Sequence, residues 1–173
     1  MKIQFLGTSA AHSTPLPFCN CKMCTISRKF AGKNLRRRSS ALINENLIID
    51  LGPDFMSSSF SLGVDTSKIL YWLQTHSHSD HFNAGHLIIR IPEYGAENVK
   101  PLSLIASSLC IQNISKIIGM EEYGANLYDD KWLNKLREPL KTIIINTSFH
   151  HSVFKIIIAK IYYKTAGIQA SSA

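Results

Sequence analysis

The sequence predicts a mixed α/β domain, and three observations support this prediction. Short apolar runs rich in β-branched residues, which are typical of buried strands, recur along the chain. Longer segments with helix-like composition lie between them, and several end at a glycine. The length of 173 residues, 45% of them apolar, is sufficient for one domain with a substantial core.

The predicted elements follow from these patterns in chain order. Strands are predicted at 2–6, 40–44, 46–50, 69–74, 101–106, 142–145 and 154–163. Helices are predicted at 25–33, 54–62 and 107–118, and a short helix is predicted to follow Phe82. Asn44 and Glu45 are expected to form the turn of a hairpin between the second and third strands.

The most informative segment places three histidines and an aspartate within six residues: His76, His78, Asp80 and His81. It follows a predicted core strand, and α/β proteins place their chemistry at the carboxyl ends of such strands. Imidazole and carboxylate groups are ligands of zinc, manganese and non-haem iron. If these side chains were buried without a metal, each unpaired polar group would cost about 1–3 kcal/mol. Exposure would be harmless but would not explain the spacing, so we favour a metal site.

Cysteines form a second cluster, with Cys19, Cys21 and Cys24 in a C-x-C-x2-C pattern. A structural zinc ion takes four ligands, and thiolates are among its preferred ones. The alternative is a set of reduced thiols that binds nothing. We favour zinc, with His12 or a distant residue as the fourth ligand. Cys110 lies in an apolar predicted helix and is expected in the core.

The chain is basic, with a net charge of +7 and a pI of about 9.3. This balance suits a phosphate-bearing or nucleic-acid substrate, but a soluble basic protein accounts for it equally well. The basic run 36–38 either steers phosphate or is a solvated turn, and we slightly favour the turn. With no visible signal peptide or membrane-length apolar stretch, we expect a cytoplasmic protein with reduced thiols and no membrane partner.

The motifs together resemble those of the metallo-β-lactamase fold hydrolases. The segment from His76 to His81 matches the signature His-x-His-x-Asp-His, and the segments 5–11 and 47–54 are also similar. The cysteine cluster and the basic segment after it are similar to the phosphoribosyl cyclic phosphodiesterases of phosphonate breakdown. A pyrroloquinoline-quinone biosynthesis relative carries a similar cysteine cluster. The resemblance covers roughly residues 1–105.

The resemblance implies an αββα sandwich of two β-sheets flanked by helices, with the site at one edge. It implies that His76 and His78 bind one ion, that Asp80 and His81 bind a second, and that a distant aspartate bridges them. The two ions, zinc or manganese, would hold a hydroxide and orient a phosphate for attack. Asp80 is therefore also predicted to be catalytic. Asp50 is expected to hydrogen-bond the histidine loop rather than to bind metal.

The carboxyl-terminal part departs from the family pattern. Residues 1–140 are predicted to form the hydrolase domain, and 141–173 a divergent or truncated tail that continues the same domain. The carboxyl-terminal half of the sandwich is therefore expected to be incomplete. His150 and His151 are the only candidates for the third histidine ligand, with His151 chosen between them; the favoured alternative is that both are an exposed or capping pair. An incomplete second sheet would expose an apolar face, which aggregation or a homodimer would cover.

The predicted function is hydrolysis of a small phosphorylated substrate, a phosphodiester such as a cyclic phosphate, by metal-activated water. One alternative is an inactive metal-binding remnant of such an enzyme. Another is a nuclease similar to the tRNA 3′-processing endonucleases. A nucleic-acid substrate is less favoured, because of the cysteine cluster and because no long basic arm is evident.

Overall fold

The computed structural model describes residues 1–90, 97–120 and 140–145. Its strands are β1 (Ile3–Gly7), β2 (Ser40–Ile43), β3 (Leu47–Ile49), β4 (Tyr71–Leu73), β5 (Leu102–Ser107) and β6 (Leu140–Ile145). Its α-helices are α1 (Lys22–Phe30), α2 (Phe55–Ser61), α3 (Gly85–Ile88) and α4 (Ser108–Met120). The strand predicted at 154–163 lies outside the described residues.

The strands form one six-stranded sheet in the order β1-β2-β3-β4-β5-β6. The pairs β1–β2 and β2–β3 are antiparallel, whereas β3, β4, β5 and β6 run parallel to one another. The hairpin between β2 and β3 turns at Asn44 and Glu45, whose φ angles are 48° and 66°. Two positive φ angles match the twist of a tight hairpin, so the predicted hairpin is confirmed.

The larger core covers one face of this sheet. Ile48, Trp72 and Leu104 lie side by side on β3, β4 and β5 and are completely buried. Phe55 of α2 and Ile114 of α4 belong to the same apolar cluster. Each such side chain contributes roughly 1.5–3 kcal/mol when fully buried, which fixes the helices against the sheet.

The opposite face of the sheet carries a smaller apolar cluster, formed by Ile43, Leu47, Leu73 and Ile105. On β1, next to this cluster, Phe5 remains 67% exposed. The two faces of the sheet therefore differ in how fully they are buried. The face that packs against α2 and α4 is the more fully buried one.

Helix α1 differs from its predicted range of 25–33. It begins at Lys22 and ends at Phe30, because Ala31 and Gly32 have positive φ angles of 48° and 53° that interrupt the helix. Helices α2 and α4 agree with the predicted segments to within two residues. Within the described residues, none of the helices combines the length and the apolar character needed to cross a membrane.

Candidate metal centre

The parallel strands bring two loops to the same edge of the sheet. Ile49, the last residue of β3, pairs with Leu73, the last residue of β4. The backbone N–H of Asp50 donates to the carbonyl of Leu73 at 2.9 Å, so the chain leaves both strands side by side. The histidine loop, residues 75–81, therefore starts next to Asp50, as its position after a core strand predicts.

Asp50 is the buried anchor of the histidine loop, with only 4% of its surface exposed. Its carboxylate accepts hydrogen bonds from the Thr75 backbone N–H at 2.8 Å and from Thr75 Oγ1 at 2.8 Å. It also lies 2.6 Å from Nδ1 of His81. A carboxylate only accepts hydrogen bonds, so Nδ1 of His81 is the donor in this contact. The predicted hydrogen bonding of Asp50 to this loop is confirmed.

The structure places all four predicted side chains of the histidine loop at this edge. Nε2 of His81 lies 3.2 Å from Oδ2 of Asp80. The His76 ring centroid lies 4.0 Å from that of His81 and 4.7 Å from that of His78. His76 and His81 are half-buried, whereas His78 is exposed.

The two ring nitrogen atoms of His76 also have different surroundings. Its Nδ1 lies 2.9 Å from Oγ1 of Thr75, which leaves Nε2 as the ring atom that can face a ligand. Burial lowers the pKa of His76, and the neighbouring His81 and His78 lower it further. A lowered pKa favours the neutral ring, which is the form that binds metals.

The cysteine cluster lies at the start of α1. In the part of the chain that the structure describes, Cys19, Cys21 and Cys24 are the only three His, Cys, Asp or Glu residues with ligand atoms all within 4.8 Å of one another. His12, suggested as a fourth ligand, is not part of this group. A fourth ligand from the far carboxyl end would lie outside the described residues, as His150 and His151 do.

Hydrogen bonds prepare this cluster for a metal. The backbone N–H of Cys24, together with the Cys19 and Cys24 side chains, lowers the pKa of Cys21 to about 7. The Leu16 backbone N–H donates to Sγ of Cys24 at 3.3 Å. Arg28 donates to the carbonyl of Cys19 at 2.7 Å, which ties the loop to the helix. Zinc binds the thiolate form, so this donor set fits a zinc ion.

The basic run 36–38 is engaged in structural contacts. Arg38 forms an ion pair with Asp54, with Nη1 and Oδ1 3.0 Å apart, and also donates to the carbonyl of Ala11. Arg37 donates to Oγ of Ser61 at 2.8 Å. These contacts give two of the three arginines a role in holding the loops around β2 to α2.

Two residues at this edge had no assigned role in the sequence. Gln74 is only 3% exposed, and its side chain donates hydrogen bonds to the backbone carbonyls of His76 and His81 in the histidine loop. Gly52 lies so close to the Asp80 carbonyl that a Cβ atom there would collide with it. The only sequence signal for Gln74 is that a polar residue ends an apolar strand. For Gly52, the sequence offers no signal other than the presence of a glycine.

No family model and no curated protein matches the chain, but solved structures do. Zn²⁺-bound PqqB from Methylobacterium extorquens has a TM-score of 0.59 and 20% identity, over 84% of this chain and 46% of that one. A diphosphatase of the PhnP family has a TM-score of 0.53 and 18% identity, over 83% of this chain and 50% of that one. The chain has the metallo-β-lactamase fold, which confirms the predicted fold class. It spans about half the length of these two structures.

Proposed function

We propose that this chain is a metal-dependent hydrolase that cleaves a phosphodiester in a small phosphorylated substrate. The observation that carries the proposal is the contact between buried Asp50 and Nδ1 of His81. Metal-binding histidines usually donate their other ring N–H to a carboxylate, which fixes the tautomer and the ring orientation. In this chain that arrangement lies at the sheet edge where His76, His78 and Asp80 also meet.

We propose two ions, with one pair of ligands from this loop for each, as the resemblance to the metallo-β-lactamase fold hydrolases implies. Oδ2 of Asp80 and Nε2 of His81 are 3.2 Å apart, which is close enough for both to contact one ion. His76 and His78, whose ring centroids lie 4.7 Å apart, are the proposed ligands of the other ion, and the His76 ring lies 4.0 Å from that of His81, between the two proposed pairs. No three of these four side chains have ligand atoms all within 4.8 Å of one another, so the proposal assigns no more than two of them to one ion. His151 remains our candidate for a further ligand.

The chemistry follows from this donor set. When bound, the two ions would supply a hydroxide at neutral pH and offset charge on the phosphate. Asp50 holds the His81 ring, and Asp80 is the proposed catalytic residue, positioned beside His81 Nε2. Zinc is our first choice of metal, because the similar PqqB structure contains Zn²⁺, and manganese is the second. A separate structural zinc is proposed at the three cysteines.

A phosphate-bearing substrate is supported by two observations. The net charge of +7 raises the local concentration of anions near the protein. One similar structure is a diphosphatase, which acts on a phosphorylated compound. We further propose that the protein works in the cytoplasm, where its thiols would stay reduced.

The test combines metal analysis of the purified chain with turnover of bis(p-nitrophenyl) phosphate. The wild-type chain should bind metal and hydrolyse the ester, and His76→Ala should lose bound metal and activity. Asp65→Asn is the matched control, because Asp65 is exposed and belongs to neither the histidine loop nor the cysteine cluster. If His76→Ala changes neither metal content nor hydrolysis, the site assignment is wrong. Metal binding without turnover of this ester or of a tRNA 3′ precursor would identify a metal-binding remnant.

A further inference from the structure

We propose that Gln74 is a positioning residue that sets the separation of His76 and His81 in the metal centre. This inference rests on the proposed function. Gln74 directly follows β4 and is buried. It therefore lies beneath the histidine loop rather than within it, and it touches that loop through backbone atoms.

The Gln74 amide group spans the loop. Its Nε2 donates to the carbonyl of His76 at 2.5 Å and to the carbonyl of His81 at 3.0 Å. These carbonyls belong to the first and last proposed ligands of the loop. One rigid, planar amide group thus fixes the distance between the backbones of two residues that are five positions apart.

The other side of the amide is anchored in the core. Its Oε1 accepts from Nε1 of Trp72 at 2.8 Å and from the Leu51 backbone N–H at 3.4 Å. Trp72 is completely buried, and Leu51 follows Asp50 in the neighbouring loop. The histidine loop is therefore tied through Gln74 to both β4 and the segment after β3.

The chemistry of the four partners determines the orientation of the amide. The Trp72 ring and the Leu51 N–H can only donate, whereas the two carbonyls can only accept. Oε1 must face the first pair and Nε2 the second, which uses all four hydrogen-bonding positions of the side chain. No other common side chain of this size offers two donors and two acceptors in one plane.

Asp50 and Gln74 hold the histidine loop through different contacts. Asp50 binds the side chains of Thr75 and His81, so it sets ring orientation. Gln74 binds only backbone carbonyls of the loop, so it sets the position of the chain that carries the rings. Removal of such outer partners typically weakens metal binding about 10–100-fold.

The test compares Co²⁺ binding by the wild-type chain, Gln74→Leu and Gln74→Glu. Gln74→Leu removes all four hydrogen bonds. Gln74→Glu keeps an acceptor for Trp72 but offers the two carbonyls at most one donor, the O–H of a protonated carboxyl, so it removes at least one of the two bonds to the loop. Ile43→Val is the control, because it removes one methylene group from the core at the far end of β2.

Co²⁺ distinguishes the two candidate centres by its absorption. Thiolate-bound Co²⁺ gives a charge-transfer band together with d–d bands of its own. The d–d bands of the histidine centre are therefore recorded in chains that also carry Cys21→Ser, which removes a ligand from the cysteine cluster. Both Gln74 variants should bind Co²⁺ at the histidine centre about 10–100-fold more weakly than the wild type. Their d–d bands should also change shape, whereas the thiolate band should not. Ile43→Val should lower the melting temperature and leave both bands unchanged.

The outcomes separate this inference from the proposed function. If the Cys21→Ser chain shows the d–d bands and both Gln74 variants in that background match its affinity and spectrum, the positioning role is wrong while the metal centre stands. If the Cys21→Ser chain with Gln74 intact shows no d–d bands at any Co²⁺ concentration, the histidine metal centre itself is refuted, and this inference with it. If Gln74→Leu does not fold, Gln74→Glu alone decides between the first result and the expected one.

Discussion

The exchange Asp50→Asn tests the proposed centre by altering one atom of a buried side chain. The amide oxygen can still accept from the N–H and Oγ1 of Thr75. The new NH₂ group then faces Nδ1 of His81, and an NH₂ group can only donate. Nδ1 must therefore become the acceptor, which moves the ring proton to Nε2. That is the atom we propose as a metal ligand, so the variant should hold His81 in the wrong tautomer.

The size of the effect follows from the lost interaction. A hydrogen bond to a charged group contributes about 1.5–3 kcal/mol. An outer partner of a metal ligand contributes about 10–100-fold in affinity, or about 1.4–2.8 kcal/mol at 1.4 kcal/mol per tenfold. The two ranges overlap, so we expect Asp50→Asn to bind zinc at the histidine centre about 10–100-fold more weakly.

The assay is a zinc titration against a competing chelator, with unfolding followed separately in the absence of metal. Asp65→Asn is the matched control, because Asp65 also accepts hydrogen bonds, from the N–H and Oγ of Ser67, but is exposed. It should bind zinc like the wild type. Wild-type zinc affinity in Asp50→Asn, with the fold intact, would refute the link between Asp50 and the metal.

Three further predictions concern other residues. Gly52→Ala should weaken metal binding and lower the free energy of unfolding by about 1–3 kcal/mol, because its Cβ would displace the Asp80 backbone. The control is Gly63→Ala, where a Cβ would meet open space but the φ of 64° disfavours alanine. It should destabilise the fold without changing metal affinity. Cys21→Ser should lose one zinc ion per chain by metal analysis and melt at a lower temperature, and unchanged zinc content would contradict the cysteine site. Burial raises the pKa of Cys110 to about 11, so iodoacetamide at pH 8 should label it only after unfolding, and mass spectrometry of the folded chain checks this.

Local sequence patterns predicted the parts of the fold that depend on neighbours in the chain. The hairpin at Asn44 and Glu45 was predictable because two apolar, β-branched runs flank the pair and Asn readily adopts positive φ, whereas the positive φ of Glu45 has no signal in its residue type. Asp50 was predictable because a carboxylate at a strand end beside a histidine-rich loop has an evident partner. The start of α1 was not predicted, because the cysteine segment before it has no helix-start signal.

The role of Gln74 could not be predicted, because nothing in the local sequence identifies its partners. A polar residue at the end of an apolar run is compatible with exposure at the sheet edge. Its burial depends on Leu51, which lies 23 positions earlier in the chain, and on the return of the loop at His81. Only the parallel register of β3 and β4 brings these atoms together.

These contacts imply that the ligands of the histidine loop are held unequally. His81 is fixed at Nδ1 by Asp50 and at its carbonyl by Gln74, and His76 at Nδ1 by Thr75 and at its carbonyl by Gln74. The ring of His78 is exposed. Binding energy lost to ordering a side chain is smallest where the side chain is already fixed. The ion that contacts His81 and Asp80 should therefore bind more tightly than the ion that contacts His78.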